Sequence, residues 1–334
     1  MTRPARAIGG YFGLQLVPSV ASATASLPSW WVDGVAVQSG RVALALALPA
    51  RPATLWLPAY FCPPVERALA GRGWNLRRYR LAEDWGPGDD VTPAPGDRVL
   101  VVDFFGLAAA AVRRAVACFG AGSVIADHSL ALFAAPVDGV PTAYSPRKFV
   151  GLPDGGLLLN GEALELAAPD ETLSAGRARH LLLRAAGDLQ GGRIAFSEAE
   201  ASLDADLAPR AMSLLTRRLL EAVDVEAVAS RRVRNFDRLA SGLRALGFDV
   251  PCRSPDAVPL CCPVFGLRPT VARPLLASNG IFCAAYWPDV ALDVEDVEGR
   301  RFAEATTFLP CDQRYDDDDI DFVLERLEAL EDQR

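Results

Sequence analysis

The chain has 334 residues, of which 51% are apolar and 23% charged, and its net charge at pH 7 is −8. This length exceeds what one hydrophobic core usually supports, so we expect two packed domains. The acidic balance argues against nucleic acid or an anionic membrane as the main partner. The longest apolar runs are too short to span a bilayer.

From about residue 37 the sequence alternates between helical and strand patterns. Helices are predicted at 39–48, 63–73 and 107–120, and strands at 53–58, 75–81, 97–106 and 122–127. Short apolar strands separated by helices favour parallel pairing with both faces of the sheet covered. We therefore predict a doubly wound α/β domain whose ligands lie beyond the carboxyl ends of the strands.

After a strand pattern at 155–160 the regular alternation of strand and helix patterns ends. A polar helical stretch runs to about 210, one or two long helices follow within 212–247, and the remaining patterns predict strands at 259–267 and 281–287 and helices at 270–280 and 316–331. We predict a large domain over 1–224, with an N-terminal arm at 1–36, and a smaller C-terminal α/β domain over 225–334. The four aspartates at 316–319 are expected in the first turn of the last helix, where the helix dipole favours negative charge.

Cysteine and histidine usage predicts neither a metal site nor a disulfide framework. The seven cysteines include no CxxC pair, and the chain has two histidines. Free thiols in a reducing cytoplasm fit this pattern best. We expect Cys261 and Cys262 to be buried strand residues, His180 to be structural on a helix surface, and the cluster at 231–236 to form a solvated helix face.

One lysine stands out. Lysine and arginine total 34, and Lys148 is the single lysine, so the other 33 are arginines. Unlike a guanidinium, an amine can lose its proton and attack a carbonyl. Asp127 comes at the end of a predicted strand, and the segment 38–41 opens a helix whose amides could hold a phosphate. An amine, an acid and a phosphate cradle are what a pyridoxal 5'-phosphate site requires.

The same segments resemble a known family, the DegT/DnrJ/StrS-type sugar aminotransferases. The resemblance lies in "SGRVAL" (39–44), "LPAYFCP" (57–63), "VIADHSLAL" (124–132), "SPRKFVGLPDGG" (145–156) and "FLPCDQRYDDDDI" (308–320). It implies the fold type I architecture of pyridoxal-phosphate transferases, with a mostly parallel central sheet flanked by helices and a smaller C-terminal α/β domain.

The resemblance also implies roles for individual residues. Lys148 would form the Schiff base and Asp127 would face the pyridine nitrogen, while Ser39, Gly40 and Arg41 would meet the phosphate with help from Ser145. It further implies a small-molecule amino donor, a keto-sugar acceptor attached to a nucleotide, and a homodimer with the site at its interface.

Several positions depart from the family's pattern. The family often has a ring-stacking aromatic residue where this chain has Cys62, so Tyr60 or Phe61 would substitute. Where a polar side chain often lies near the phenolic oxygen of the cofactor, this chain has Leu130, leaving His128 or Ser129 as candidates. A phosphate-binding serine is replaced by Ala143, and the threonine that often follows the glycine is Arg41.

Three alternatives were weighed against this hypothesis. The letters "SPRK" match the Ser-Lys nucleophile motif S-x-x-K, but that motif requires a K-T-G partner, which a chain with one lysine lacks. A nucleotide-binding oxidoreductase would need GxGxxG after its first strand, and none occurs there. A protein of the same fold with a different pyridoxal-phosphate reaction, or with a non-catalytic binding role, remains open.

Overall fold

The structure, a computed structural model, describes residues 7–15, 28, 31, 33–162 and 165–331. Of the predicted N-terminal arm, residues 1–6, 16–27, 29–30 and 32 lie outside the described part. The strands are β1 (Ile8–Gly9), β2 (Val35–Val37), β3 (Thr54–Pro58), β4 (Asn75–Tyr79), β5 (Arg98–Val102), β6 (Val124–His128), β7 (Thr142–Tyr144), β8 (Gly156–Leu159), β9 (Cys261–Phe265), β10 (Ile281–Phe282) and β11 (Thr306–Pro310).

The helices alternate with the strands in the first half of the chain and dominate the second half. They are α1 (Gly40–Ala47), α2 (Pro63–Ala70), α3 (Ala109–Phe119), α4 (Glu171–Arg177), α5 (Arg179–Ala185), α6 (Leu189–Ala205), α7 (Leu214–Glu221), α8 (Val225–Ala245), α9 (Pro269–Ser278), α10 (Val297–Ala305) and α11 (Asp317–Glu331). No described helix is both long and apolar enough to cross a membrane.

A seven-stranded sheet forms the centre of the molecule, in the order β2-β8-β7-β6-β5-β3-β4. Strands β4, β3, β5, β6 and β7 are parallel, whereas β8 runs antiparallel to both of its neighbours. The predicted α/β class with a mostly parallel sheet is therefore confirmed. The strand order reverses between β3 and β5, which is the position where ligands bind in open α/β sheets.

Burial on both faces explains why these strands are nearly continuous apolar runs. In β5, Val99, Leu100 and Val101 are fully buried, and all five residues of β6 are buried. Helix α1 packs on β7 and β8, and α3 packs on β5 and β6. Burying such residues is the main favourable term that holds the sheet and its helices together.

A second hydrophobic cluster lies in the C-terminal part of the chain. Strands β9 and β11 form an antiparallel pair, and α8 packs against α11. Strand β1 pairs with β10, so the first described residues pack with the C-terminal part of the chain. Helix α8 begins at Val225 with Asp224 as its cap, which is where the sequence places the domain boundary; the boundary itself stays a prediction.

Two surface predictions prove wrong. In the 231–236 cluster, Arg232, Asn235 and Phe236 are buried, because α8 turns this face toward the protein interior while Arg231 and Arg234 face Asp317. His180 is likewise buried: it bonds the Arg177 carbonyl oxygen through Nδ1 at 2.7 Å.

Other smaller expectations hold. Cys261 and Cys262 are buried in β9. The aspartates at 316–319 do begin the last helix, and the Asp316 carboxylate accepts a bond from the Asp319 amide at 3.0 Å. The sequence patterns did not predict β7, α10 or β11.

Gly156 should not tolerate a side chain, because a Cβ there would lie 2.3 Å from the Ser39 carbonyl oxygen and 2.6 Å from the Gly40 nitrogen. We expect Gly156→Ala to lower the free energy of unfolding by roughly 1–3 kcal/mol, the usual cost of overpacking. Gly122→Ala is the matched control, since its Cβ would meet open space. Equal urea midpoints for the two variants would contradict this expectation.

Candidate functional site

The start of helix α1 is the first component of the site. Ser39 caps the helix and its Oγ accepts a bond from the Val42 amide at 3.2 Å. A Cβ on Gly40 would come within 2.8 Å of the Ser145 Cβ, 3.0 Å of the Ser145 Oγ and 3.4 Å of the Ser129 Oγ. Two hydroxyls from other loops therefore lie beside a helix N-terminus, where an anion is favoured.

Asp127 supplies a carboxylate near the end of β6. Its side chain is 6% exposed, and its Oδ1 accepts a bond from the Ser129 amide at 2.8 Å. In the sheet it is in register with Val102 of β5 and with Ala143 of β7. The small side chain at 143, where the family pattern has a serine, therefore lies on the strand next to Asp127.

Lys148 ends a short turn that follows β7. The residue is half-buried, and its amine makes no hydrogen bond or ion pair with any described residue. Burial lowers the pKa of this amine below the ordinary value, the charges of Cys62 and Asp127 oppose that shift, and the charges of Arg147 and Arg41 add to it. The amine, the Asp127 carboxylate and the Cys62 thiol thus lie close enough together to feel one another's charge.

Two arginines next to the lysine are occupied by acids from helix α6. Arg147 forms a bidentate pair with Glu200, at 2.5 and 3.0 Å. Arg41 lies 2.5 Å from an Asp204 oxygen and 3.7 Å from a Glu200 oxygen. Burial tends to raise the pKa of Glu200, but Arg147, Arg41 and Lys148 outweigh it and lower that pKa. The suggested contact of Arg41 with a phosphate stays a prediction, and it would require this pairing to change.

The two aromatic candidates, Tyr60 and Phe61, both pack against other aromatic side chains. Tyr60 is fully buried, stacks on Phe302 with ring centroids 5.3 Å apart, and donates to the Tyr286 carbonyl oxygen at 2.8 Å. Phe61 is equally buried and contacts Trp287. Whether either ring takes the place of the missing stacking residue stays a prediction. Cys62, the next residue, is the one whose charge reaches Lys148.

His128 follows Asp127 on the same strand, so its side chain points to the opposite face of the sheet. Its ring meets Tyr144 edge-on at 5.2 Å, and neither ring nitrogen has a hydrogen-bond partner among the described residues. Burial lowers the pKa of His128 to about 4, which leaves the ring neutral at pH 7. The contact of His128 with a cofactor stays a prediction.

Sequence reasoning missed Asp103, which directly follows β5. It is fully buried, its Oδ1 accepts a bond from the Ala108 amide at 2.7 Å, and its Oδ2 has no partner among the residues described. Burial raises the pKa of this carboxyl to about 7. The available signal was an acid immediately after a buried strand, the pattern that identified Asp127. No comparable sequence pattern marks Glu200 and Asp204, because they lie on a helix with an ordinary polar pattern.

Comparison with solved structures gives the chain the fold of the sugar aminotransferases. DesV of S. venezuelae, in complex with a ketimine intermediate, is 18% identical, with 89% of this chain and 84% of that chain covered and a TM-score of 0.62. The sugar aminotransferase CalS13 from Micromonospora echinospora is 17% identical, with 89% and 87% covered and a TM-score of 0.60. A DegT DnrJ EryC1 StrS aminotransferase from Brucella abortus is 15% identical, with 89% and 85% covered and a TM-score of 0.59.

Comparisons of the sequence itself with known families and proteins find no match. No protein-family model matches the chain, and no curated protein matches it. At identities below one fifth, the likeness to these structures establishes the fold, which is the fold that the sequence resemblance implied.

The pKa of Lys148 can be measured on this chain without ambiguity, because it has no other lysine. Acylation with acetic anhydride at increasing pH, read by peptide mass spectrometry, should give an apparent pKa below the value of about 10.4 expected for a free side chain. The chain unfolded in urea is the reference. A Lys148 pKa that is the same in the folded and unfolded chain would contradict the burial of the amine.

Glu200→Gln should lower the pKa of Lys148 further, because Arg147 and Arg41 would lose a balancing negative charge. Glu198→Gln, on the same helix but exposed and paired with Arg179, is the matched control. The same acylation profile measures both variants. A pKa of Lys148 that is unaffected by Glu200→Gln would show that the α6 acids lie too far from the amine to act on it.

Asp103 should make stability depend on pH. The folded chain keeps the Asp103 proton up to about pH 7, whereas the unfolded chain loses it near pH 4. The folded state therefore binds more protons in this window, and its free energy of unfolding should fall as the pH rises, by at most about 1.4 kcal/mol per pH unit. Urea denaturation of Asp103→Asn should lack this contribution, so parallel pH profiles for the variant and the unaltered chain would contradict it.

Proposed function

We propose that the protein is a pyridoxal-phosphate-dependent aminotransferase that transfers an amino group to a keto sugar through Lys148. One observation carries the proposal: the single lysine of the chain is half-buried, unpaired among the described residues, and within electrostatic reach of the strand-end carboxylate Asp127. A lysine on the open surface would not be buried within electrostatic reach of a strand-end carboxylate.

The residues around Lys148 fit the cofactor in three respects. The amine is available to join an aldehyde, and Asp127 can keep a pyridine nitrogen protonated. The start of α1, with the Ser129 and Ser145 hydroxyls beside Gly40, offers amides and donors to a phosphate. The close approach of Ser145 to the helix start is possible because residue 40 has no Cβ. Ring stacking is the exception, because this chain has Cys62 where an aromatic residue would stack on the cofactor ring.

When bound, pyridoxal phosphate supplies an aldehyde and a ring that accepts electrons. Lys148 would hold that aldehyde, and its amine, when free, would accept and deliver a proton. Its lowered pKa increases the fraction that is neutral near pH 7, which is the form that accepts a proton. The hydrogen bond from the Ser129 amide fixes the orientation of the Asp127 carboxylate.

The substrate class and the assembly are part of the proposal. The substrates would be an amino donor and a nucleotide-linked keto sugar, which is supported by the shared fold with CalS13, a sugar aminotransferase, and with DesI, solved in the presence of its TDP-sugar product. A homodimer with the site at its interface is supported by exposed apolar side chains on α5, α6 and α7, namely Leu182, Ile194 and Leu214, each more than half exposed. All seven cysteines are free thiols, which supports a reducing compartment such as the cytoplasm.

A second candidate is a protein of this fold that binds pyridoxal phosphate for another reaction, or without turnover. Three observations favour it: Arg41 is held by Asp204, the rings of Tyr60 and Phe61 are buried elsewhere, and Ala143 offers no hydroxyl. These features alter the contacts to the phosphate and the ring while leaving Lys148 and Asp127 unchanged. The two candidates therefore differ in turnover and agree on the covalent lysine.

Incubation with pyridoxal phosphate should give an absorbance band near the visible edge that borohydride abolishes. After reduction, peptide mapping should find the cofactor mass on Lys148, and Lys148→Ala should show neither the band nor the mass. Asp127→Asn, which keeps the size of the side chain, should retain the adduct but lose most amino-group exchange, because the ring nitrogen loses its charged partner.

Two outcomes would count against the proposal. A colourless protein after incubation would rule out the covalent lysine, and so would a band that persists in Lys148→Ala. If the adduct forms but no nucleotide-linked keto sugar accepts an amino group from glutamate or glutamine, the second candidate is favoured.

A further inference from the structure

Arg232, on helix α8, is a fully buried arginine whose partners are all backbone carbonyls. Its Nη2 donates to the Phe149 oxygen at 2.9 Å, and its Nη1 donates to the oxygens of Leu260 at 3.1 Å and Pro259 at 3.3 Å. The guanidinium carbon also lies 4.7 Å from the centre of the Phe149 ring. One side chain of the C-terminal part thus contacts the residue that follows Lys148 through both its backbone and its ring.

Gln313 contacts the same carbonyl. Its Nε2 donates to the Phe149 oxygen at 2.8 Å and to the Gln15 Oε1 at 3.3 Å. The Gln15 Oε1 in turn accepts a bond from the Gly151 amide at 3.3 Å. Two donors from separate elements therefore converge on one oxygen, and a third side chain holds the loop two residues further along.

The charge of Arg232 is costly where it lies. It forms no ion pair with any described residue, and burial lowers its pKa below the ordinary range. The nearest carboxylate whose charge acts on it, Asp312, is bound by Arg314 at 2.7 Å. Since a buried charge without a paired carboxylate is unfavourable, packing alone gives no reason for a guanidinium in place of an apolar side chain of similar length. The reason must lie in the carbonyls that it holds.

The loop that carries Lys148 transmits any movement of Phe149 to the lysine. The Lys148 amide donates to the Ser145 oxygen at 3.2 Å, and the amides of Phe149 and Val150 donate to the Pro146 oxygen at 2.9 and 3.1 Å. These bonds close residues 145–150 into a tight turn. A turn closed by these hydrogen bonds moves as a unit. Holding the Phe149 carbonyl therefore also fixes the direction in which the Lys148 side chain points.

We propose that Arg232 and Gln313 are positioning residues for Lys148: they hold the carbonyl of Phe149 and thereby keep the amine directed toward Asp127. The inference rests on the proposed role of Lys148 and adds two residues to it that touch neither the amine nor the reacting atoms. It also assigns the C-terminal part of the chain a share in arranging the site.

The test compares Arg232→Met and Gln313→Ala with Arg231→Met, a control on the same helix whose side chain is 40% exposed and faces Asp317. The first readout is the pH profile of Lys148 acylation without cofactor. The second is the rate at which the Lys148 adduct forms with pyridoxal phosphate. We expect Arg232→Met to raise the pKa of Lys148 toward that of the unfolded chain, because a displaced amine loses the burial that is the largest cause of its lowered pKa and that outweighs the opposing charge of Asp127. We expect it to slow adduct formation on the order of ten- to a hundred-fold, the effect of a small misplacement of a reacting group.

Gln313→Ala should change both readouts in the same direction by a smaller factor, because Arg232 still holds the carbonyl, and Arg231→Met should change neither. If Arg232→Met does not fold, Gln313→Ala carries the test. The proposal is overturned if the folded variants lose thermal stability while the pKa of Lys148 and the adduct rate equal those of Arg231→Met. If the unaltered chain forms no adduct, the proposed function fails, and the pKa comparison still decides the role of Arg232 and Gln313.

Discussion

The arrangement of the site depends on close contact between two backbone segments that side chains would prevent. The glycines after the lysine loop pass directly against the start of α1, where a Cβ on Gly156 would meet the Ser39 oxygen. On the other side of the same turn, Gly40 leaves room for the Ser145 side chain. This contact places the segments on both sides of the lysine loop against the N-terminus of α1. Larger residues at either glycine would separate them.

Several charged side chains lie close to the Lys148 amine. Arg41 and Arg147 are both near the amine, and on their own they would oppose its protonation. Helix α6 supplies Glu200 and Asp204, which neutralise those two cations at short range. The amine is thus left as the cation of this cluster with no partner among the described residues, in surroundings that disfavour its charge. A group of this kind is typical of functional sites, where burial and charge shift a pKa toward the working range.

Much of this could be predicted from the sequence, for identifiable reasons. The alternation of apolar runs with helical patterns determines the sheet, because buried parallel strands require such runs. Lys148, Asp127 and the Ser39–Gly40 helix start were predicted from local signals, namely a unique residue type, a strand end and a cap. The positions of Tyr60, His128 and Arg232 could not be predicted in that way. Each depends on which face of an element packs against another part of the chain, as Tyr60 does against Tyr286 and Arg232 against Phe149, and local sequence signals do not show that.

The distribution of amines has a practical consequence. Lys148 is the one side-chain primary amine of this protein, because every other cationic side chain apart from the two histidines is a guanidinium. Reagents that couple to primary amines, such as succinimidyl dyes, cross-linkers or sensor-chip chemistries, will find only the amino terminus and the half-buried Lys148. Labelling of Lys148 by such reagents therefore reports on how far its amine is exposed, whereas immobilising the protein through other positions calls for carboxyl- or thiol-directed chemistry, for which exposed Cys118 and Cys252 are available.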